Sequence, residues 1–510
     1  MLPCGIRSGL VVVTFMVAAS SVSAQYDYSH RKSKCEIEVS PNTNVKATLI
    51  RNHFGFGGAM NWYLHDTINA EISACKKSYG DAFLDYFDYC TPENEMKWDY
   101  VMGGDEEPDP LWWKADTIIN FCHRNDIKIR GHNLFWNEDT CWVPAWAWSL
   151  PTKAEFKEAM KQRIEDAMTY GVENKVVHWD IINEIIHGYK PGTNQGGYKP
   201  AFDQLTLVKY SGDNNIFQWI LEEARKIDKT SLFTINDYGL EGSEQDCKDY
   251  IARCQPFKDK FEIIGIEGHF GTNTNGCSRN NLNARINQLA DGLNNEVWFT
   301  EVDWEFAENQ SPAKMEELMR TAFSNPKVGG IVIWTWIKRH MWRDKLTNFF
   351  VDSLVNETNT GKKWREVRQE WKTDTSGTAD GDGKFKFTGY QGKYRVLFDG
   401  DTLMVYLHPG DSVEILHDSR ISAIRPATRA KSNPAFVRLG GKVIRLSVAP
   451  DQSGSLYLST YSISGKLISR LPLNFVNGTA TVAKLPSGCH VYRIGNAGSQ
   501  LYTGLGLTLR

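Results

Sequence analysis

Short apolar runs alternate with longer stretches of helical periodicity along the first 370 or so residues of the chain. Runs rich in β-branched and aromatic residues predict strands, and apolar positions three and four apart predict helices. The predicted strands are Phe54–Met60, Phe83–Tyr89, Ile127–Phe135, Lys175–Ile182, Leu232–Ile235, Ile263–Ile266, Val297–Thr300 and Ile331–Trp336. The predicted helices include Trp112–Arg124, Lys153–Tyr170, Ile216–Ile227, Leu282–Leu293 and Ala313–Phe323. This alternation indicates an α/β protein whose residues 35–372 form a (β/α)8 barrel.

Polar and aromatic residues follow the predicted strands at the points where the strands end. Because parallel strands bring their carboxyl ends to one face of a barrel, residues far apart in the sequence should converge there on a single cleft. The converging residues are Glu93, Asn94, His132, Trp136, Asn183, Glu184, Asn236, Asp237, His269, Glu301, Asp303, Trp334 and Trp342.

Two of these residues, Glu184 and Glu301, each close a β-branched and aromatic run and would follow the fourth and seventh strands. Glycoside hydrolysis needs such a pair, because one carboxylic acid protonates the leaving oxygen while a second carboxylate attacks or stabilises the oxocarbenium-like centre. Buried, salt-bridged carboxylates are the alternative interpretation of either glutamate alone. Their shared position at strand ends favours catalysis.

Five motifs between residues 40 and 372 carry a family resemblance. They are Thr-Pro-Glu-Asn-Glu-Met-Lys-Trp (Thr91–Trp98), Gly-His-Asn-Leu-Phe-Trp-Asn (Gly131–Asn137), Trp-Asp-Ile-Ile-Asn-Glu (Trp179–Glu184), Ile-Asn-Asp-Tyr (Ile235–Tyr238) and Phe-Thr-Glu-Val-Asp (Phe299–Asp303). In this order the chain resembles the family 10 glycoside hydrolases, which are mainly endo-1,4-β-xylanases that act with retention of configuration.

The resemblance implies a role for each residue of the cleft. Glu184 would be the acid/base and Glu301 the nucleophile. Contacts to sugar hydroxyls or to the nucleophile would come from Asn183, His132, Glu267 and His269, with Asp303 and Asp237 supporting them from behind. Hydroxyl-binding residues on the non-reducing side would be Glu93, Asn94 and Lys97, and aromatic walls would be Trp136, Trp334 and Trp342. Four further tryptophans lie in predicted helices and are expected to pack in the core: Trp112, Trp113, Trp219 and Trp364.

The chain also departs from the family pattern. Asn137 stands where the family has a second histidine, and Asp139 where it has a glutamine. Glu267 replaces the glutamine of Gln-x-His, and we expect it either to be protonated beside the nucleophile or to point away into a salt bridge. These changes leave both glutamates in place but alter sugar recognition.

Composition narrows the possible partners. The formal charge of −3 argues against nucleic acid and fits an uncharged polysaccharide such as xylan. No Cys-x-x-Cys occurs, so we expect neither metal nor cofactor, and the retaining mechanism needs none. Ten cysteines are present, but their spacing does not predict their pairing. A monomer is expected.

Both ends of the chain favour export from a bacterial cell. Residues 1–24 combine Arg7, an uncharged apolar run and a Val-Ser-Ala step, which predicts a signal peptide rather than a membrane anchor, because the run is too short to span a bilayer. Residues 373–418 are expected to form a linker and a small β-module, and residues 419–445 a basic linker. Residues 446–510 resemble the β-sandwich sorting domains of type IX secretion cargo; a carbohydrate-binding module is the alternative.

The sequence therefore predicts a secreted endo-1,4-β-xylanase. Three alternatives stay open: a retaining β-1,4-glucanase, a xylo-oligosaccharide hydrolase, and a polysaccharide-binding barrel without catalytic activity. Reducing-sugar release from a panel of polysaccharides would distinguish them.

Overall fold

The computed structural model describes residues 26–62, 77–102, 111–137, 142–188 and 197–410, together with the backbone of the strands between residues 412 and 508. The predicted signal peptide lies outside the described residues. The chain divides into two units, of which one contains residues 54–370 and the other contains residues 29–53 and 371–510.

The first unit is built on a closed barrel of eight parallel strands. In chain order, barrel strands 1 to 8 are Gly55–Met60, Tyr89–Pro92, Lys128–Trp136, His178–Asn183, Leu232–Asp237, Ile263–Ile266, Glu296–Val302 and Val328–Ile333. Strand 8 pairs with strand 1 and closes the ring. The predicted (β/α)8 fold is confirmed.

Helices separate the barrel strands along the chain and bury one face each. Their bounds are Tyr79–Tyr86, Trp98–Val101, Trp113–Arg124, Ala145–Trp148, Lys153–Glu173, Thr206–Ser211, Ile216–Ile227, Glu244–Cys254, Arg279–Leu293, Ser311–Ser324 and Asn359–Glu370. The longest begins with a capping box in which the side chains of Thr152 and Glu155 bind each other's backbone N–H groups. No described helix is both long enough and apolar enough to cross a membrane.

One predicted strand is wrong. Most of the run Phe83–Tyr89 belongs to the helix Tyr79–Tyr86, and the strand begins only at Tyr89. The helix starts at Ser78, whose hydroxyl accepts the Asp81 N–H, and its apolar residues recur at helical spacing. A short apolar run is compatible with a strand or a helix, and here the N-cap at Ser78 stabilises the helix.

The second unit combines strands from both sides of the barrel sequence. Before the barrel these are Lys32–Glu38 and Asn44–Asn52; after it they are Asp374–Thr378, Lys384–Tyr390, Gly392–Phe398, Asp401–Leu407 and Ser412–Asp418. Lys32–Glu38 pairs with Lys384–Tyr390, and Asn44–Asn52 pairs with Asp374–Thr378 and with Gly392–Phe398.

This pairing corrects the predicted domain boundaries. Residues 35–53 belong to the β-unit and not to the barrel, and the linker expected just after residue 372 contains the strand Asp374–Thr378. Its pairing partner lies more than 300 residues earlier in the chain, so local composition does not reveal the strand.

The segments after residue 418 are also rich in strands. Residues 419–445, predicted as a basic linker, contain Ile421–Pro426 and Phe436–Gly440 and the start of Val443–Ser447. The linker was predicted from the number of basic residues alone, although apolar residues alternate with these along the strands. The later strands Tyr457–Ser462, Leu467–Pro472, Gly488–Gly495 and Gln500–Thr508 form a four-stranded sheet, which agrees with the predicted all-β character of residues 446–510.

Barrel strand 4 packs against its surrounding helix through Trp179, which is fully buried. Gly171 of the helix Lys153–Glu173 lies against the indole ring: a Cβ at this position would come 2.5 Å from Nε1 and 2.9 Å from Cε2 of Trp179. Glycine inside a helix normally costs about 1 kcal/mol relative to alanine. Here it gives the indole its space.

We therefore expect Gly171→Ala to destabilise the protein by about 1–2 kcal/mol, because the cost of overpacking, about 1–3 kcal/mol, exceeds the gain in helix propensity. Urea unfolding of the variant and the wild type measures the difference. Gly292→Ala is the matched control, since a Cβ there meets the side-chain end of the partly exposed Ile251, which can move aside. A stabilised Gly171→Ala protein would contradict this account of the packing.

Candidate active site

Glu184 and Glu301 lie at the carboxyl ends of barrel strands 4 and 7, and one residue contacts both. The backbone N–H of Glu184 donates to the carbonyl oxygen of Asn236 at 2.7 Å. The side-chain amide of Asn236 donates to Oε1 of Glu301 at 3.0 Å. All three residues are buried. Asn236, at the end of strand 5, therefore joins the two predicted catalytic glutamates.

Two histidines flank the Glu301 carboxylate. His132 Nδ1 lies 3.8 Å from Glu301 Oε1, and His269 Nε2 lies 3.5 Å from Glu301 Oε2. His132 is held by Asp180, whose Oδ2 lies 2.9 Å from the same ring nitrogen, and Arg130 donates to the other Asp180 oxygen at 2.6 Å. Glu301 is thus a buried carboxylate with basic groups on two sides.

Asp303 organises the opposite side of this network. Its carboxylate binds His269 Nδ1 at 2.9 Å, the Trp342 indole N–H at 2.7 Å and the Arg343 guanidinium at 3.0 Å. Burial would lower the pKa of His269, but the charges and hydrogen bonds of Asp303 and Glu301 outweigh it and raise that pKa to about 10. His269 is therefore an imidazolium at neutral pH.

Glu267 also faces this imidazolium. Its Oε2 lies 3.6 Å from His269 Nε2. The same ring nitrogen lies 3.5 Å from Glu301 Oε2. The structure thus brings Glu267 into the site, while its protonated state stays a prediction. Two groups of three side chains have the spacing of metal ligands, and Glu301 belongs to both. The first group also contains His132 and Asp180, and the second also contains Glu267 and His269. The hydrogen bonds and ion pairs above already account for both groups.

A second polar cluster follows strand 2. Lys97 Nζ donates to Asn94 Oδ1 at 2.8 Å and lies 4.7 Å above the Trp136 ring and 4.1 Å above the Trp142 ring. Burial lowers the pKa of Lys97 to about 8, although the neighbouring Glu93 and Glu301 act in the opposite direction. Burial also raises the pKa of Glu93 to about 7.

The aromatic residues predicted as walls lie beside the histidines. The Trp334 ring centroid is 5.0 Å from that of His132, and the Trp342 centroid is 5.3 Å from that of His269. Trp334 is buried, whereas about half of the Trp342 side chain is exposed. Trp142, which stacks on Trp136 at 6.0 Å, was not predicted.

Asp237, the last residue of strand 5, binds two residues that follow strand 4. It accepts the Ile186 N–H at 2.6 Å and binds His187 Nδ1 at 2.6 Å, and the Tyr238 ring stacks on His187 at 4.4 Å.

Asn137, which replaces a family histidine, accepts the Leu207 N–H at 3.2 Å and so has a structural partner. Asp139, the other departure expected from the sequence, lies outside the described residues.

The structure thus brings together the predicted residues around Glu301 and those around Lys97. Asn183, the last residue of strand 4, is buried next to Glu184 in the chain. Sequence reasoning missed the roles of Asn236, Asp180 and Arg130. Asn236 and Asp180 stood inside the quoted motifs, but only the three-dimensional contacts separate an orienting residue from a structural one.

Fold and site together define a (β/α)8 barrel with a cluster of carboxyl groups and histidines at the carboxyl ends of its strands. The model of the family described as Glycosyl hydrolase family 10 matches residues 47–365, more than half of the chain. The chain belongs to this family, which confirms the resemblance drawn from the five motifs.

Curated relatives carry two kinds of name. The chain is 30% identical over 380 residues to an anti-sigma-I factor, RsgI6, of Acetivibrio thermocellus, covering 72% of this chain and 45% of the relative. It is 28% identical over 359 residues to endo-1,4-beta-xylanase 2 of Arabidopsis thaliana, covering 69% and 30%. The chain thus spans less than half the length of either relative.

Solved structures share the fold at low identity. A GH10 structure from Paenibacillus barcinonensis superposes with a TM-score of 0.53 at 20% identity, covering 62% of this chain and 96% of that chain. Xylanase 10B from Thermotoga maritima gives the same TM-score and identity, with coverages of 62% and 95%. At this identity the likeness extends to the fold alone.

The charge of Asp303 should set the titration of His269. In Asp303→Asn we expect the pKa of His269 to fall well below 10, because the negative charge of Asp303 is lost and only that of Glu301 still raises this pKa. Nitrogen-15 NMR of the histidine rings measures it, and Trp342→Phe, which keeps the carboxylate, is the control. Because the folded pKa exceeds the unfolded value near 6.5, the stabilisation is complete below pH 6.5 and is lost as pH rises through about 10. An unchanged titration in Asp303→Asn would contradict this assignment.

Proposed function

We propose that the protein is a retaining endo-1,4-β-xylanase that hydrolyses internal β-1,4-xylosidic bonds of xylan. The observation that supports this most directly is the pair Glu184 and Glu301 at the ends of strands 4 and 7, both bound by Asn236, in a family 10 barrel. In this proposal Glu301 is the nucleophile and Glu184 the acid/base.

The reaction proceeds in two displacements. The Glu301 carboxylate attacks the anomeric carbon while Glu184 transfers its proton to the departing oxygen, which leaves as the hydroxyl of the shortened chain and gives a glycosyl ester of Glu301. Water then attacks the same carbon and gives its proton to Glu184. The ester bond breaks, and Glu301 is restored as a carboxylate. Two inversions retain the configuration.

The buried basic groups around Glu301 suit the first step. His132 Nδ1 and His269 Nε2 lie 3.8 Å and 3.5 Å from its two oxygens, so the attacking group is held between two imidazole rings. Because Asp303 fixes the His269 ring, the imidazolium lies against the Glu301 and Glu267 carboxyl groups at the same time. Asn183 would donate to the sugar 2-hydroxyl, a hydrogen bond that strengthens in the transition state.

Substrate contacts extend to both sides of the glutamates. Glu93, Asn94 and Lys97 would bind hydroxyls of sugars on the non-reducing side, with Trp136 and Trp334 as apolar walls. Trp342 would exclude the hydroxymethyl group of a hexose, which favours xylan over the β-glucans. The xylanase names of curated relatives support the same substrate.

A polysaccharide-binding barrel without turnover is the second candidate. The relative with an anti-sigma-factor name favours it, because that name describes no hydrolase. The presence of both glutamates and of their Asn236 contact favours the hydrolase. Reducing-sugar release from xylan by the purified chain decides between the two, and a mixed-linkage glucan in the same assay tests the glucanase alternative.

Export is part of the proposal. Residues 1–24 would act as a signal peptide, and residues 446–510 would direct a polymer-degrading enzyme to the cell surface or the medium through the secretion machinery. A reporter protein fused to residues 446–510 and appearing outside the cell would support this role.

Replacing each of the two glutamates with alanine should reduce turnover in a different way. Glu301→Ala should abolish turnover of every substrate, because no nucleophile remains. Glu184→Ala should lose roughly 10²–10⁴-fold on xylan, yet should still form the glycosyl ester with aryl xylobiosides whose leaving group departs unprotonated. Steady-state and burst kinetics on both substrates measure the contrast.

Azide provides the control for these roles. It should accelerate Glu184→Ala and yield a β-xylobiosyl azide, because the small anion attacks the ester without general-base help. It should not rescue Glu301→Ala in this way. Equal losses in the two variants, whatever the leaving group, would refute the assignment.

A further inference from the structure

A partly exposed aromatic cluster lies beside Asn94 and Lys97 and has no role in the mechanism above. It consists of Trp62, Tyr100, Trp113 and Lys114. Trp113 was expected to pack in the core because it opens a helix, yet 52% of its side chain is exposed. A single exposed apolar residue is common, whereas apolar side chains that cluster at a surface mark binding sites.

The cluster has a defined geometry. The rings of Trp62 and Trp113 meet at an interplanar angle of 78°, with their centroids 5.5 Å apart. Lys114 Nζ lies 4.3 Å from the ring centroid of Tyr100 and 5.4 Å from the centroids of both tryptophans. The ammonium group therefore contacts three aromatic rings, which orders the side chains around it through cation–π interactions.

Backbone contacts place this cluster next to the proposed sugar-binding residues. The carboxylate of Glu95 accepts the Trp62 N–H at 2.9 Å with one oxygen and the Asn94 N–H at 3.0 Å with the other. Asn94 in turn binds Lys97, whose charge interacts with Glu301. The order from the catalytic carboxylate outward is therefore Glu301, Lys97, Asn94 and Trp62.

Tyr100 and Trp113 are held beside one another by the chain itself. The Leu111 N–H donates to the carbonyl oxygen of Val101 at 2.7 Å, which brings the start of the helix Trp113–Arg124 to the end of the helix Trp98–Val101. The aromatic surface thus comes from three separate segments: the residues just after barrel strand 1, the short helix Trp98–Val101, and the start of the helix Trp113–Arg124.

We propose that Trp62, Tyr100, Trp113 and Lys114 form a distal subsite that binds a further neutral pyranose unit on the non-reducing side of the cleft. The apolar face of a pyranose ring stacks on an exposed indole, while the ammonium donates to its hydroxyls. This inference rests on the proposed function, because Glu93, Asn94 and Lys97 define the non-reducing side there. It gives the protein a preference for long chains.

The test uses aryl β-glycosides of xylobiose, xylotriose and xylotetraose. In this series the aryl group always leaves, so the chain lengthens only toward the non-reducing end. In the wild type, kcat/KM should rise with length; in Trp113→Ala the ratio of tetraoside to bioside should fall roughly five- to tenfold. Trp113→Phe, which keeps a ring, should restore most of the ratio.

Trp219→Ala is the matched control. Trp219 also carries a lysine over its ring, with Lys157 Nζ at 4.6 Å, but it lies on the helix Ile216–Ile227 and outside the cluster. The length ratio of this variant should equal that of the wild type. An unchanged ratio in Trp113→Ala, or an equal loss on all three glycosides, would overturn the proposed subsite.

A binding measurement separates this inference from the proposed function. If the wild type releases no aryl group from any of the glycosides, the proposed function fails. Calorimetric titration with xylotetraose and xylobiose then tests the subsite by itself, since it requires no turnover. Loss of affinity for the tetraose but not for the biose in Trp113→Ala would support the subsite, and equal affinities for wild type and variant would refute it.

Discussion

The hydrogen bonds of Asn236 hold the site together. Its carbonyl oxygen receives the N–H of Glu184, and its amide donates to Glu301. Glu184 has a φ of 58°, a left-handed conformation that costs a residue with a side chain about 1–3 kcal/mol, so this contact also stabilises a strained backbone. Gly265 on strand 6 makes room for it, because a Cβ there would lie 3.0 Å from the Asn236 Cα atom. Asn236 thus links the two glutamates through its backbone carbonyl and its side-chain amide.

Around this contact, acidic and basic side chains alternate. The series of contacts runs Arg130, Asp180, His132, Glu301, His269, Asp303 and Arg343. Each buried acid has a basic neighbour on both sides, which offsets the cost of removing its charge from water. The same alternation keeps His269 charged at neutral pH, with a pKa of about 10. The network therefore gives the buried Glu301 side chain polar partners on both of its oxygens.

Much of this arrangement could be predicted from the sequence, and the exceptions have physical causes. Glu184 and Glu301 stood out because carboxylates rarely end apolar strands. The Asn236 contact could not be predicted, because it joins three strand ends through one backbone and one side-chain hydrogen bond. Trp113 was misassigned because helical spacing does not reveal which face of a helix start remains exposed. The strand Asp374–Thr378 was missed because its partner, Asn44–Asn52, precedes the whole barrel.

In the reaction that we propose, Glu301 forms a covalent glycosyl ester. An aryl 2-deoxy-2-fluoro-β-xylobioside tests it directly, because the fluorine slows both displacements and the good leaving group lets the ester accumulate. Peptide mass spectrometry of the inactivated protein should find one 2-fluoroxylobiosyl group per chain, attached to Glu301. A label on any other residue, or continued turnover of xylan by fully treated protein, would contradict the account.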